Sequence, residues 1–433
     1  MVLMTLGLVG PYRCLAGGQA LAPPNAPKFE RIIIDPTAEA NAHKPKVLAR
    51  FSREGGNDLG SLDRQGFKLY RAQENWKAYI IFEPGDPGGF EDAAVADINR
   101  DGWNDILLGG WGNRTLWAEN PAGQGRDPYT NRWPVHVVDS SRFSHEICAA
   151  DMDRDGRCDI ITTSGIYFQG ATPDAWIFIS IGRGGQGTQV GNLLGNRDGY
   201  NDVIAVGQTN GGNQIVWFEN PGHAGGDPIR GHWIAHVIDA TPGAAENANR
   251  DMNEMAFALG DINGDGRPDV VAASMGEGPD AMDDPHQVGD GLVWYESPRD
   301  PRRDVWLKHV IAPGVAWVHA SSIQLADFDG DGHLDICFAE QDQSSRRKDG
   351  QPSRQLGICY NVRGDAKTWK LQILSQYPAA GAGGFNSKVG LIGSDRLPSI
   401  FTSLHGYFGD ANPLILWRNQ GMAGNQDSSR SQR

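Results

Sequence analysis

The sequence has no apolar run long enough to cross a bilayer, no heptad pattern and no CxxC pair. A helical membrane span, a coiled coil and a thiol-based zinc or redox motif are therefore excluded. Basic charge is in deficit as well. Lys and Arg number 39 against 53 Asp and Glu, a formal net charge of −14, so no nucleic-acid partner is expected. Much of that acid is clustered where a divalent cation would neutralise it. Cysteine is scarce: Cys14, Cys148, Cys158, Cys337 and Cys359 make an odd set with no disulfide framework. Cys148 and Cys158 flank one acidic loop, and Cys337 and Cys359 fall in neighbouring strands. Either pair has the option of bridging, and buried free thiols are the plainer reading.

What the chain does have is turn residues and tryptophan: Gly 57, Pro 25 and Trp 13 in 433 residues. Three landmarks recur in a fixed order. A Trp leads a short alternating strand, as in Trp76–Ile80, Trp133–Val137, Trp233–Val237, Trp306–Val310 and Trp369–Ile373. A small apolar strand then runs into an acidic loop and a second strand, as in Ala93–Leu108. An aromatic strand that often ends in Glu-Asn-Pro follows at Trp117–Pro121, Trp217–Pro221 and Trp294–Pro298, with looser copies at Ile358–Asn361 and Leu416–Asn419. Each reads as a strand between turns, and four strands per unit at this spacing imply propeller blades. The fold class is therefore all-β, a seven-bladed β-propeller over 29–419. Its blades are expected from about Phe29 to Asn75 and near 76–121, 133–182, 183–221, 233–298, 306–361 and 369–419. Segment 1–28 reads as signal-like or flexible, and 420–433 as a disordered tail.

Four loops follow Asp-x-Asp/Asn-x-Asp-Gly-x-x-Asp: Asp97/Asn99/Asp101/Asp105, Asp151/Asp153/Asp155/Asp159, Asp261/Asn263/Asp265/Asp269 and Asp327/Asp329/Asp331/Asp335. Alternate residues wrap oxygen around one cation, a Gly permits the sharp turn, and the last Asp closes the sphere from the next strand. Hard oxygen ligands in a flexible loop select Ca²⁺ over zinc or Mg²⁺. An EF-hand would need a Glu at loop position 12 and flanking helices, whereas here an Asp closes at position 9 between strands. Blade 4 keeps Asn196, Asp198 and Asp202, but Leu194 takes the first ligand position in this reading, and no calcium is assigned there.

These loops, set in blades, resemble the FG-GAP/VCBS family of calcium-binding propellers across nearly the whole chain after Phe29. The Trp-x-x-His and Trp-Tyr/Phe-Glu-Asn-Pro marks resemble the propeller part of aldos-2-ulose dehydratases. That resemblance implies elimination of water from a keto-sugar with divalent metals. The cupin domains that follow the propeller in the fungal enzymes do not follow it here.

In a propeller the starts of the inner strands and the far ends of the second strands meet on one face, opposite the acidic loops. Upstream of the loops this collects Glu91, Asp92, His145, Glu146, Asn253, Glu254 and His319, with Asn386 and Lys388 in the last blade. The second strands add Trp111, Tyr167, Gln208, Glu277, Glu340, Asp342, His405 and Tyr407. His145, His319 and His405, with Glu91 or Glu254, form a candidate central site for zinc or another divalent metal. Such a metal would acidify the C–H next to a carbonyl, with Tyr167, Tyr407 or Lys388 as the base of a β-elimination. The histidines His136, His236 and His309 and the repeated Trp residues read as structural instead.

The expected function is a carbohydrate-active lyase or dehydratase with a small saccharide or glycan as its partner. A non-catalytic glycan- or protein-binding propeller and a uronate polysaccharide lyase are the alternatives. The second would need basic residues to meet its substrate, and only Lys388 and Lys44 offer themselves. Calcium-rich loops suit millimolar extracellular calcium, so secretion or a periplasmic location is expected.

Overall fold

Strands of three to nine residues between turn residues suit short sheets packed radially around an axis. The computed structural model describes residues 26–36, 44–85, 89–110, 112–182, 187–209, 212–240, 255–274, 291–313, 315, 318–340, 355–376, 383–384, 386–403 and 412–422. Within them lie seven four-stranded antiparallel sheets. The chain opens with β1 (Phe29–Asp35). Blade 1 is β2 (Lys44–Ala49), β3 (Asp58–Asp63), β4 (Gly66–Arg71) and β5 (Lys77–Phe82). Blade 2 is β6 (Asp92–Ala96), β7 (Asp105–Gly109), β8 (Thr115–Ala118) and β9 (Val135–Asp139). Blade 3 is β10 (Ile147–Ala150), β11 (Asp159–Thr162), β12 (Gly165–Gln169) and β13 (Trp176–Ile179). Blade 4 is β14 (Thr188–Gly191), β15 (Asp202–Thr209), β16 (Gly212–Glu219) and β17 (Ile234–Asp239). Blade 5 is β18 (Met255–Gly260), β19 (Asp269–Ser274), β20 (Leu292–Glu296) and β21 (Leu307–Ala312). Blade 6 is β22 (Val318–Ala326), β23 (Asp335–Glu340), β24 (Gln355–Asn361) and β25 (Trp369–Gln376). Blade 7 is β26 (Lys388–Gly390), β27 (Ser399–Thr402), β28 (Leu414–Asn419) and, as its outermost strand, β1.

Two expectations shift. β1 closes the ring by pairing with β28, Phe29 opposite Asn419, so Phe29 does not open blade 1. The Trp-led strands, read as the start of each blade, are the outermost strands of the blade before. Residues 1–25 and 423–433 lie outside the described residues. Among the described residues no helix is long and apolar enough to cross a membrane.

The core lies between blades. Ile98, Leu107 and Trp117 of blade 2 pack against Ile147, Ile160 and Tyr167 of blade 3, and the pattern repeats around the ring. Trp117, Trp217 and Trp294 are buried, and each carries a stacked histidine from the outermost strand. Ring centroids are 4.1, 4.4 and 4.4 Å apart for Trp117–His136, Trp217–His236 and Trp294–His309. Each imidazole reaches a glutamate two residues after its Trp: Glu119 at 3.4 Å, Glu219 at 2.8 Å and Glu296 at 3.0 Å. The Trp–His–Glu signature is thus a cross-strand strut. Cys148, Cys158, Cys337 and Cys359 are free thiols, and Cys337 stands opposite Ile358, not Cys359.

A second repeated device joins the blades. Asn120 Nδ2 donates to the carbonyl of Phe51 in blade 1 at 3.1 Å, and its Oδ1 accepts from Ala122 N–H at 3.0 Å. Asn220 reaches Met152, Asn361 reaches Ile262 and Asn419 reaches Phe328 in the same way, each in the loop of the preceding blade. The blade 4–blade 5 joint has Ser297 at this position and is bridged by Arg302 donating to Glu219 at 2.6 Å. Asn120 is fully buried, so Asn120→Ala leaves the Phe51 and Asn104 carbonyls and the Ala122 N–H without partners. The expected cost is about 3 kcal/mol, read from the urea midpoint at unchanged m-value.

Candidate functional site

The acidic loops join the inner and second strands at one face. In blade 2 the Asp105 carboxylate, buried at the start of β7, accepts from Ile98 N–H at 2.9 Å and from Asn120 N–H at 2.8 Å. Asp159, Asp269 and Asp335 do the same with Met152 and Gln169, Ile262 and Ser297, and Phe328 and Asn361. Asp58 keeps this position in blade 1, where its carboxylate accepts from Ala72 N–H at 3.0 Å. In blade 7 it is Ser399, whose Oγ accepts from Asn419 N–H at 3.1 Å. The closing residue therefore ties the loop to the third strand in every blade, whether or not the loop is acidic.

At the other end, the first Asp accepts from the glycine N–H: Gly102 to Asp97 at 2.9 Å, Gly156 to Asp151 at 2.9 Å, Gly266 to Asp261 at 2.8 Å and Gly332 to Asp327 at 2.9 Å. Those glycines hold φ between 81° and 89°, a left-handed turn that side chains resist. The preceding turn position is also left-handed, with Gly264 and Gly330 at 75° and 80° but Arg100 and Arg154 at 60° and 65°. Arg100 is exposed, so Arg100→Gly is expected to stabilise by about 0.5 kcal/mol, the relieved strain less glycine's entropy, measured by urea unfolding.

Asp151, Asp153 and Asp159, and likewise Asp327, Asp329 and Asp335, bring carboxylate oxygens all within 4.8 Å of one another. The aspartates at loop position 5 are turned differently in this structure. Asp155 and Asp331 stand outside these two groups. Each is turned to the backbone of its own loop: Asp155 Oδ1 accepts from Arg157 N–H at 2.8 Å, and Asp331 Oδ1 from His333 N–H at 2.9 Å. Asp155 Oδ2 is also paired with the Arg157 guanidinium. Blades 2 and 5 form no such carboxylate group among the described residues. There Asn99 and Asn263 replace the middle aspartate, and their amides donate to Asp101 Oδ2 and Asp265 Oδ2, each at 3.1 Å. Asp265 is held further by Arg267, whose N–H donates to Oδ1 at 2.9 Å and whose guanidinium pairs with Oδ2. Like charges repel, and in all four loops the position 5 carboxylate turns to the N–H two residues on.

The closing carboxylates have no such escape. Burial, with the neighbouring aspartates adding to it, pushes Asp105, Asp159 and Asp335 each up to about 7 against the backbone hydrogen bonds that oppose it. Asp269 is pushed up to about 7 by burial in the same way. The groups Asp151, Asp153 and Asp159, and Asp327, Asp329 and Asp335, are carboxylate clusters that could hold a metal ion, and hard oxygen donors of this kind suit a divalent one.

The opposite face is where the inner strands begin. Glu91 and Asp92 stand at the start of β6, His145 and Glu146 just before β10, and Asn386 and Lys388 at β26, and all but Lys388 are buried. Inner-strand packing runs β2–β6–β10–β14–β18–β22–β26 and back to β2, so blade 1 separates blade 2 from blade 7. Contacts nevertheless cross it: Asn386 Nδ2 donates to the Glu91 carbonyl, and Lys388 Nζ stands 3.8 Å from Asp92 Oδ1. On the other side Ile147 N–H donates to Asp92 Oδ2 at 3.3 Å. Polar residues of blades 2, 3 and 7 therefore converge over the channel.

Within the cluster, His145 Nδ1 bonds Glu146 Oε1, and Glu146 Oε2 accepts from Thr163 Oγ1 and Gly187 N–H, each at 2.9 Å. Burial opposes the Glu146 charge, but the His145 imidazole and these donors outweigh it and hold the carboxyl below its usual range. Glu146 is thus a buried anion that orients an imidazole. Lys46, fully buried on β2, is an inner-strand cation that the sequence reading missed in favour of Lys44.

The other expected residues divide. His319 lies on β22 where its register with β23 is irregular between Val318 and Ile323, and its side chain is outside the described residues. Glu254, His405, Tyr407, Asn253, Trp111, Glu277 and Asp342 are also outside them, as is the Gln208 side chain. Tyr167 is corrected: it sits on the third strand of blade 3, buried between blades 2 and 3 with its ring 4.9 Å from Phe178. Strand β11 has only four residues, so the chain has already turned back before Tyr167. Among the described residues, no group of three ligand-bearing side chains that includes a histidine comes together at metal-binding distance.

Three stretches, residues 97–162, 196–272 and 261–338, match the FG-GAP-like repeat. The chain is a seven-bladed β-propeller with FG-GAP-like repeats in these three stretches. No curated protein matches its sequence. Among solved structures it is similar to the BP39L lectin from Burkholderia pseudomallei, at 14% identity and a TM-score of 0.53, covering 89% of this chain and 98% of that one. It is similar to BBS1N, solved in complex with ARL6DN, at 11% identity and a TM-score of 0.53, covering 92% of this chain and 98% of that one. A lectin from Agrocybe aegerita that recognises non-reducing terminal N-acetylglucosamine aligns at 15% identity and a TM-score of 0.44, over 77% of this chain and 80% of its own. These likenesses are of fold.

Proposed function

We propose that the channel mouth is a saccharide site and that the protein is a carbon–oxygen lyase acting there by β-elimination, with Ca²⁺ stiffening the four full acidic loops on the opposite face. Calcium binding in those loops requires Asp101, Asp155, Asp265 and Asp331 to exchange their present donors for the ion. The observation that carries the lyase reading is the contact of Asn386 and Lys388 with Glu91 and Asp92 across blade 1, which sets a cation and a carboxylate beside the blade 3 segment that carries His145. In this scheme Glu146 fixes the His145 tautomer, so that Nε2 takes the proton next to the substrate carbonyl. The charge that develops on the carbonyl oxygen is met by Lys388. The C–O bond one carbon further breaks, and His145 Nε2 passes the proton it has taken to the departing oxygen. Aldos-2-ulose dehydratase-like action on a keto-sugar is the reaction of this class that the Trp-x-x-His and Glu-Asn-Pro marks favour.

The near-complete burial of His145, at 2% exposure, favours a second reading: a non-catalytic glycan site with the dyad as a strut beneath it. Keto-sugars and uronates incubated with the calcium-loaded protein separate the two. Growth of enone absorbance, lost in Lys388→Met, supports the lyase. Calorimetric binding without turnover supports the glycan site. Neither signal at millimolar saccharide removes both.

A further inference from the structure

Blade 4 keeps the frame of the acidic loops but fills it differently. Leu193 N–H donates to Asp202 Oδ2 at 2.9 Å and Asn220 N–H to Asp202 Oδ1 at 2.9 Å, the pair of bonds that Ile98 and Asn120 make to Asp105. That frame puts Asn192, not Leu194, at the first ligand position. From Asn192 to Asp202 is ten positions (202 − 192), against eight from Asp97 to Asp105 (105 − 97), so Leu194-Gly195 is an insertion. Gly195 makes it with a φ of 62°.

Into this loop comes His223, from the turn after β16. Its side chain is fully buried, with Nδ1 2.5 Å from Asp198 Oδ2 and Nε2 3.0 Å from Asp202 Oδ1. A ring nitrogen facing each of two carboxylates is the arrangement of an imidazolium, since an ionised carboxylate can only accept. Tyr200 covers it edge-on, ring centroids 5.9 Å apart. Blade 2 shows what that position does elsewhere. The residue matching His223 is Gly123, and a Cβ built there would stand 1.7 Å from Oδ2 of Asp101, the counterpart of Asp198. Glycine leaves room for the Asp101 carboxylate in blade 2, while in blade 4 a side chain reaches its counterpart. Asn192 Nδ2 donates to Asn196 Oδ1 at 2.9 Å and to Asp198 Oδ1 at 3.3 Å.

We propose that His223 is a built-in cation that replaces the metal ion in blade 4, so that this loop takes no calcium and its blade is held by the imidazolium between Asp198 and Asp202. The inference rests on the calcium reading of the other four loops. Gly123 and His223 are then two solutions to one requirement, a positive charge among converging oxygens, met by a captured ion in one blade and by a side chain in the other.

The test counts calcium by native mass spectrometry on the full chain, after removal of free ion, and follows melting with and without EDTA. Wild type is expected to hold four calcium ions and His223→Gly five, the glycine variant melting lower than wild type in EDTA and recovering with calcium. His223→Gln, which keeps a donor but loses the charge, is expected to melt about 3–5 °C below wild type in both conditions, with no recovery from calcium. A fifth ion in the wild type overturns the inference, as does a glutamine variant that melts with wild type in EDTA. A wild-type count of zero refutes calcium in the other loops, and the glutamine variant's melting in EDTA then decides the inference alone.

Discussion

EDTA at pH 7.5 is expected to lower the melting temperature by about 12 °C relative to 1 mM Ca²⁺. A site held at a hundred times its Kd adds about 2.7 kcal/mol, so four loops add about 11 kcal/mol, and a chain of this length unfolds with roughly 0.9 kcal/mol/K of entropy. The effect has a pH signature. The closing carboxylates Asp105, Asp159, Asp269 and Asp335 are pushed up to about 7 by burial. A folded-state pKa above the unfolded value favours the folded protein when the group is protonated. Without metal, these four groups therefore support the fold best below about pH 4, and that support is lost as pH rises towards 7. With calcium the order reverses, because the ion needs the ionised form. Melting curves from pH 5 to 8 should fall with pH in EDTA and rise in calcium. Parallel curves would mean that the loops are plain Asp/Asn turns.

Replacing His145 by Gln is expected to reduce turnover about 100-fold or more, since general acid–base groups contribute about 10²–10⁴, and to lower melting, because buried Glu146 loses its imidazole partner. Glu146→Ala does more. It strips the partner from His145, Thr163 Oγ1 and Gly187 N–H together, at a stability cost of about 3–5 kcal/mol for a broken buried pair. Glu146→Gln keeps the shape and isolates the charge. Its kcat should fall with His145→Gln, while KM for the saccharide stays near wild type. Equal loss of binding in both variants would instead indicate the strut role.

The repeat, the blade count and the acidic loops could be read from the chain because each is local: strands bounded by turn residues, with oxygen-bearing side chains at alternate positions. Spacing did not reveal that Asp155, Asp265 and Asp331 turn to neighbouring N–H groups, since Arg157, Arg267 and the backbone of His333 compete for them only once the loop is folded. The channel-mouth residues Glu91, Asp92, His145, Glu146, Asn386 and Lys388 could be placed by topology alone, since the start of an inner strand sits at a fixed distance upstream of its loop. Reading past the second strand failed at Tyr167, because strand length there varies and one hairpin turn carries a residue from the mouth into the core. The phase of the blades was hidden for a related reason. Every Trp-led strand opens a new motif in sequence but closes the old sheet in space, a distinction made only by hydrogen bonding. Leu194 was misassigned because a two-residue insertion shifts the ligand count, and nothing local marks His223 as the side chain that fills the loop.

Co-crystallisation of the calcium-loaded Glu146→Gln protein with a keto-sugar locates the site directly. The expected result is a ligand over the starts of β6, β10 and β26, within hydrogen-bond reach of His145, Asp92 and Lys388. A sugar seated on the outer rim of the blades, with the channel mouth holding none, would contradict the assignment.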